Sequence, residues 1–217
     1  MMKKPNTEKH DRLTLSLLTA LEEHKGISQR GLAKELGIAL GATNAHVKKC
    51  TEQGFIQQGK DNHLGYQLTS RGIMEKSKLG GEKMQQSLEM YQELKSSYLK
   101  ALHAAHHAGY KHICLVGCNV ASDIALSCQR EVPLPRINGV WDSESDETIW
   151  QGLPVFSDVT QIPQNTAFLF TDLDQPFKTS HTLKTQAGAG RLFVPHVLKD
   201  MIIQHQETKD SYESNDI

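Results

Sequence analysis

The second half of the chain holds the residue types that nucleotide chemistry requires, at suggestive spacing. Gly117-Cys118-Asn119-Val120-Ala121-Ser122 follows an apolar run and precedes a helical pattern. A glycine at such a turn lets backbone N–H groups approach a phosphate at a helix N-terminus. Only the first glycine of a G-x-G-x-x-G fingerprint is present, with Asn119 at the second position and Ser122 at the third. Asn tolerates tight turns and Ser is small, so a phosphate can still be cradled there. Asp142 follows Gly117 by 25 residues, where an acid would accept hydrogen bonds from ribose hydroxyls.

Other constellations carry less. His103 and His107 stand at i, i+4, with His106, His112, Cys114 and Cys118 close in sequence, and such residues can hold a soft metal. Histidines at a helix end also complement its dipole, and Cys114 sits in an apolar run, so no metal site is expected. No G-x-S-x-G, G-x-x-x-x-G-K-S/T or H-E-x-x-H pattern occurs. Asp172 and Asp174 stand close on one loop, and His181 and His196 are isolated. The chain is therefore read as a non-enzyme.

These residues need elements to position them. His112–Gly117, Arg136–Asp142, Thr166–Thr171 and Arg191–Pro195 read as short strands, with a helix over Asn119–Arg130. Strand, glycine turn, helix, then a strand ending in Asp is half of a Rossmann-type unit, which predicts an α/β domain with a parallel sheet. The N-terminal third differs. An apolar stripe of Leu13, Leu15, Leu17, Leu18 and Leu21 predicts a helix closing at Lys25-Gly26. Ser28 suits the N-cap of a short helix, Gln29–Leu36, ending at Gly37, and a second helix runs from about Ala42 to Gln53. Leu32, Ala33, Leu36, Ile38 and Val47 would form their small core. Two short helices around a glycine-containing turn make a helix-turn-helix unit. Phe55–Gly59 and Tyr66–Thr69 read as strands around the tip Lys60–Gly65, a hairpin that serves as a wing.

The boundaries expected are residues 1–79 for a winged helix-turn-helix, 80–108 for a linker helix beginning at the Gly80-Gly81 break, 109–206 for the Rossmann-like domain and 207–217 for a polar tail. Residues 1–80 hold 13 Lys and Arg against 8 Asp and Glu, whereas 81–217 hold 11 against 17. A basic first region beside an acidic second confines phosphate contact to the first. No apolar run approaches the ~18 residues of a membrane span. The charged start lacks an apolar core behind it, so a cytoplasmic protein with four reduced cysteines is expected, with no membrane partner.

The N-terminal region resembles MarR-like winged-helix regulators, especially those associated with exopolysaccharide gene clusters. The resemblance rests on Gln29–Gly37, Glu52-Gln53-Gly54-Phe55-Ile56 and Leu68–Lys76. It implies a transcriptional regulator of double-stranded DNA, with Ala42–Gln53 in the major groove and Thr43, Asn44, His46 and Lys48 pointing outward. Asn pairs bidentately with adenine, and Thr and His reach base edges or phosphates. Arg30, Lys48 and Lys49 suit phosphate contacts, which set register without reading sequence. On the wing, Lys60 and His63 would reach the minor groove or the backbone. Met84, Leu88, Tyr91, Tyr98, Leu102 and Ala105 give the linker a stripe that serves as a homodimer seam or packs within one chain.

The C-terminal region looks like the small Rossmann domains of polysaccharide-biosynthesis proteins and of NADH-sensing redox repressors, on Cys114–Gly117, Gly139–Asp142, Gln151–Val155, Ala187-Gly188 and Phe193–Pro195. That resemblance implies a pocket at the strand ends involving Gly117, Asn119, Asp142, Thr171 and Asp172. NAD, a nucleotide-sugar or another phosphorylated metabolite is the ligand class implied. A regulator that senses such a ligand is favoured, and a DNA-tethered enzyme or enzyme remnant on a nucleotide-linked substrate is the alternative.

Overall fold

A computed structural model describes residues 5–59, 65–131, 135–199 and 202. Lys60, His63 and the tail from residue 207 lie outside them. The chain divides into two compact units, Met1–Leu88 and Glu89–Ile217.

In the first unit, α1 (Pro5–Glu23), α2 (Gln29–Leu36) and α3 (Leu40–Glu52) precede a two-stranded antiparallel sheet of β1 (Ile56–Gln58) and β2 (Tyr66–Leu68). Ser28 caps α2 by accepting the Gly31 N–H at 3.1 Å, and Gly37 closes it in the left-handed conformation. Leu17, Leu18, Leu21, Leu32, Val47, Cys50, Phe55 and Ile56 are buried together, so all three helices and the sheet share one core. Complete burial of a large aliphatic side chain stabilises by about 1.5–3 kcal/mol, which makes Leu17, Leu18 and Leu32 its principal anchors. Gln29 donates to the Tyr66 hydroxyl at 3.3 Å, tying α2 to the wing.

A long helix, α4 (Ser70–His107), follows at once. The break expected at Gly80-Gly81 is absent, because the helix continues through both residues. Adjacent glycines cost about 1–2 kcal/mol relative to alanines, less than a helix flanked on both sides by good formers gains by continuing. The start of α4 is fixed by Thr69, whose hydroxyl donates to Gly54 C=O at 2.6 Å and accepts the Gly72 N–H at 3.0 Å.

The second unit is an α/β domain. Its six-stranded sheet is built from β3 (His112–Val116), β4 (Arg136–Trp141), β5 (Ile149–Trp150), β6 (Leu153–Phe156), β7 (Thr166–Leu169) and β8 (Leu192–Phe193), in the order β5-β6-β4-β3-β7-β8. All neighbours are parallel except β5 and β6. Helices α5 (Val120–Ser127) and α6 (Pro176–Ala187) make the crossovers from β3 to β4 and from β7 to β8. The four expected strands are present, and β5 and β6 add an edge hairpin. Ile113, Leu115, Val140, Phe168 and Leu169 fill the centre, with Tyr98, Leu102 and Ala105 of α4 in the same core. The chain turns opposite ways after β3 and β7, and a crevice at such a switch point opens at the strand C-termini. The architecture is a winged helix-turn-helix followed by a Rossmann-like domain.

Gly72 supplies a test of the first unit. A Cβ there would lie 2.0 Å from the Phe55 carbonyl oxygen. Gly72→Ala, favourable by helix propensity alone, is expected to destabilise the protein by about 1–3 kcal/mol in urea unfolding, as overpacking against backbone does. Unchanged or raised stability would show that α4 does not seat against Phe55.

Candidate functional sites: a nucleic-acid interface and an acidic cleft

Helix α3 has two opposed faces. Thr43, His46, Val47 and Cys50 are buried, with Thr43 at 0% and His46 at 6% exposure. Thr43 donates to the Ala39 carbonyl at 3.2 Å, and the His46 Nε2 lies 3.2 Å from the Thr14 hydroxyl of α1. The His10 ring packs edge-on to His46 with centroids 5.1 Å apart. Burial, with lesser contributions from His10 and Lys49, lowers the His46 pKa to about 4. The ring is therefore neutral at ordinary pH and belongs to the core. This corrects the expectation that Thr43 and His46 point outward: their spacing from Val47 and Cys50 puts them on the inner face.

The outer face carries Gly41, Asn44, Ala45, Lys48 and Glu52, with Ala42 and Lys49 at its edges, all exposed. Asn44 and Lys48 stay where the sequence placed them, and Arg30 is exposed in the first turn of α2. Lys48 and Glu52 form a 4.0 Å pair with both side chains largely in solvent, a weak contact that phosphate readily replaces. Ala45 was missed because it has no polar atom. An apolar methyl beside Asn44 suits the thymine methyl group as Asn suits adenine.

The second unit opens an acidic cleft of about 300 Å³ at the ends of β3, β4 and β7. Gly117, Asn119, Asp142 and Asp172 line it. Thr171 does not. It is fully buried and accepts the Val116 N–H at 3.0 Å while donating to the Val116 carbonyl. Ser122 is likewise buried, 2.6 Å from the Gly117 carbonyl and 2.7 Å from Thr171. The pair locks β3 to β7 beneath the cleft, and Thr171 is corrected to a packing role.

Two N–H groups of the turn are taken by the protein's own side chains. Gly117 adopts φ 91°, which only glycine takes without strain. The Cys118 N–H then donates to Asp142 Oδ2 at 2.9 Å, and the Ser122 N–H to Asn119 Oδ1 at 3.0 Å. Asp142 Oδ1 also accepts the Glu144 and Ser145 N–H groups, so this carboxylate organises its loop with three bonds. Asp172 repeats the device: it accepts the Asp174 and Gln175 N–H groups and the Thr179 hydroxyl. Asp142, Glu144, Glu147, Asp172 and Asp174 line the cleft against one cation, Lys178, which pairs with Glu144 at 2.9 Å. Burial and the Asp142 charge raise the Cys118 pKa to about 11, so it presents a neutral thiol. Glu144, Glu147, Gln175, Lys178 and Thr179 belong to no motif that marks them in the sequence. Only the acid run 142–147 was visible as composition.

His103 and His107 are exposed and Cys114 is buried, and no group of three His, Cys, Asp or Glu able to hold a metal occurs among the described residues. Among those residues no helix is long and apolar enough to cross a membrane.

Residues 10–57 match the winged helix-turn-helix DNA-binding family, so the N-terminal unit carries a DNA-binding domain of that type. No curated protein matches the chain. Among solved structures, human N-acetylserotonin methyltransferase in complex with SAM is similar at 12% identity and TM-score 0.34, over 76% of this chain and 67% of that one. An O-methyltransferase from neocarzinostatin biosynthesis, in complex with S-adenosylmethionine and 2-hydroxy-5-methyl naphthoic acid, is similar at 14% identity and TM-score 0.27, over 88% and 64%. The chain thus spans about two thirds of the length of these structures. The expectation of a non-enzyme is corrected by these matches, whose proteins are enzymes, while the likeness itself concerns the fold alone.

The buried His46 gives stability a pH dependence. Its folded pKa of about 4 lies below the ordinary 6.5, so between those values the unfolded chain binds the proton first. Stability from the neutral ring is whole above pH 6.5 and declines as pH falls toward 4. Melting curves of the protein and of His46→Gln at pH 7.5 and 4.5 check this: the substitution should flatten the dependence. The same pH-induced shift in both proteins would place its source elsewhere.

Proposed function

We propose that the protein is a transcriptional regulator that acts as a homodimer, placing α3 of each copy in the major groove of a half-site. The observation that carries this reading is the division of α3. Its buried face is fixed by Thr43, His46, Val47 and Cys50, which leaves Asn44, Ala45 and Lys48 as one exposed row. A helix held so, next to a hairpin wing, presents base-reading and phosphate-binding groups on a single convex surface. Arg30 at the start of α2 and Lys49 at the edge of α3 supply further phosphate contacts.

The acidic cleft supports a second, smaller statement: its ligand is recognised through hydroxyl or amine groups and not through a pyrophosphate. Two of the N–H groups that would cradle phosphate, those of Cys118 and Ser122, are satisfied by Asp142 and Asn119, and carboxylates line the space beside them. This turns the ligand class away from NAD and nucleotide-sugars, toward nucleosides, sugars and amines.

Binding sites selected from random duplexes and measured by fluorescence anisotropy test the DNA reading. Asn44→Ala should weaken the selected site by about 1–3 kcal/mol and relax one base position. Lys48→Ala should weaken all sequences alike and reduce the salt slope by about 1. Unchanged affinity and slope in the double variant would remove α3 from the interface. For the cleft, calorimetry should find nucleosides binding more tightly than NADH or UDP-glucose, and the reverse order would overturn the phosphate argument.

A further inference from the structure

The N-terminal half of α4 carries an apolar row that is exposed among the described residues. Ile73, Ser77, Gly80, Gly81, Met84 and Leu88 follow one another at helical spacing on one side of the helix. Ile73 is 50%, Met84 68% and Leu88 51% exposed. The inward face of the same segment is separate, formed by the buried Gly72 and Leu79. Glu75, Glu82 and Glu89 fall on the side opposite the row.

The glycines are the second observation. Two adjacent glycines inside a helix weaken it, and a Cβ added at either would meet nothing within 4 Å. Among the described residues nothing requires them to be small. A close approach from outside does, since an absent Cβ lets another backbone come near.

We infer that this row is the seam of the homodimer and that two copies of α4 cross there antiparallel, with the two-fold axis at the Gly80-Gly81 pair. The row is self-complementary about that point. Under an antiparallel two-fold, Gly80 faces Gly81 of the second copy, Ser77 faces Met84, and Ile73 faces Leu88. Small meets large and apolar meets apolar, with every contact made twice, as an isologous interface requires. A helix pair of this length buries on the order of 1,000 Å² in total, the lower bound for a specific interface. The dimer is therefore concentration-dependent. This deepens the dimeric part of the proposed function and stands apart from which residues touch DNA.

Sedimentation velocity of the full chain over a concentration series provides the test. The protein should associate to a dimer, and Met84→Glu with Leu88→Glu should stay monomeric with an unchanged circular dichroism spectrum, because both side chains are exposed in the single chain. A protein monomeric at every concentration, or a dimer indifferent to these substitutions, overturns the seam. Orientation is read from cysteine crosslinking. A mixture of Ile73→Cys and Leu88→Cys should form the mixed disulfide, whereas crosslinking of either variant to itself overturns the antiparallel arrangement. Gly80→Leu, which fills the crossing, should abolish association while leaving the helix intact. The Asn44→Ala, Lys48→Ala variant keeps the dimer, so failure of the DNA reading and failure of the seam are told apart.

Discussion

The seat of α3 on α1 governs everything the N-terminal unit can do. A helix of 13 residues shows only a narrow strip on either side, and once positions 43, 46, 47 and 50 are committed inward, the outward strip is fixed by the 3.6-residue repeat at 41, 44, 45, 48 and 52. The inward residues include two polar ones. Thr43 satisfies its hydroxyl on its own helix, and His46 does so against Thr14, so neither leaves an unpaired polar group in the core. A buried hydrogen bond of this kind adds little net stability, about 1 kcal/mol, but it punishes misregistration, because any rotation of α3 strands the imidazole. The rotational setting of the recognition surface is thus held by polar pairing as well as by Val47 and Cys50.

The cleft in the second unit rests on a related economy. Carboxylates at the ends of β4 and β7 are spent on backbone N–H groups of their own loops, three bonds at Asp142 and three at Asp172. These bonds shape the loops after β4 and β7 and, through Cys118, the glycine turn after β3. Three loops at a topological switch point are therefore held by hydrogen bonds of their own. Such a cleft offers the outer lone pairs of organised carboxylates, which select donors over acceptors, beside the hydroxyls of Thr179 and Ser145, which can do either.

Much of this was legible in the residues and some was not, for identifiable reasons. The caps Ser28 and Gly37, the hairpin after α3, and the strands over 112–116, 136–141 and 166–169 follow from local chemistry and apolar runs, and the structure has them. Thr43 and His46 were misread because residue type was weighed above position. Both can touch DNA, yet both lie on the Val47–Cys50 side of the helix. Thr171 was misread likewise: a polar residue at a strand end resembles a ligand contact until its partner, Val116 on the neighbouring strand, is known. That pairing is 55 residues distant in sequence, beyond the reach of local patterns. Gly80-Gly81 deceived in the opposite sense. Local propensity marks a break, but helix on both sides carries the chain through.

That last point bears on how α4 holds together. Its beginning is fixed by Thr69, Gly72 and Leu79, and its end by Tyr98, Leu102 and Ala105 in the C-terminal core. Between them, residues 80–93 are exposed or half-exposed throughout, so burial does little to hold their helix. Met, Gln, Leu, Glu and Lys each lie within about 0.4 kcal/mol of alanine, whereas the two glycines together give up about 2 kcal/mol. The segment propagates from helix already formed on either side, which spares it the unfavourable first turn. It is consequently the stretch of α4 with the least tertiary support, and the one where new contacts would change helix stability most. The part of the apolar row that lies there, from Gly80 to Leu88, couples the order of the helix to whatever covers it.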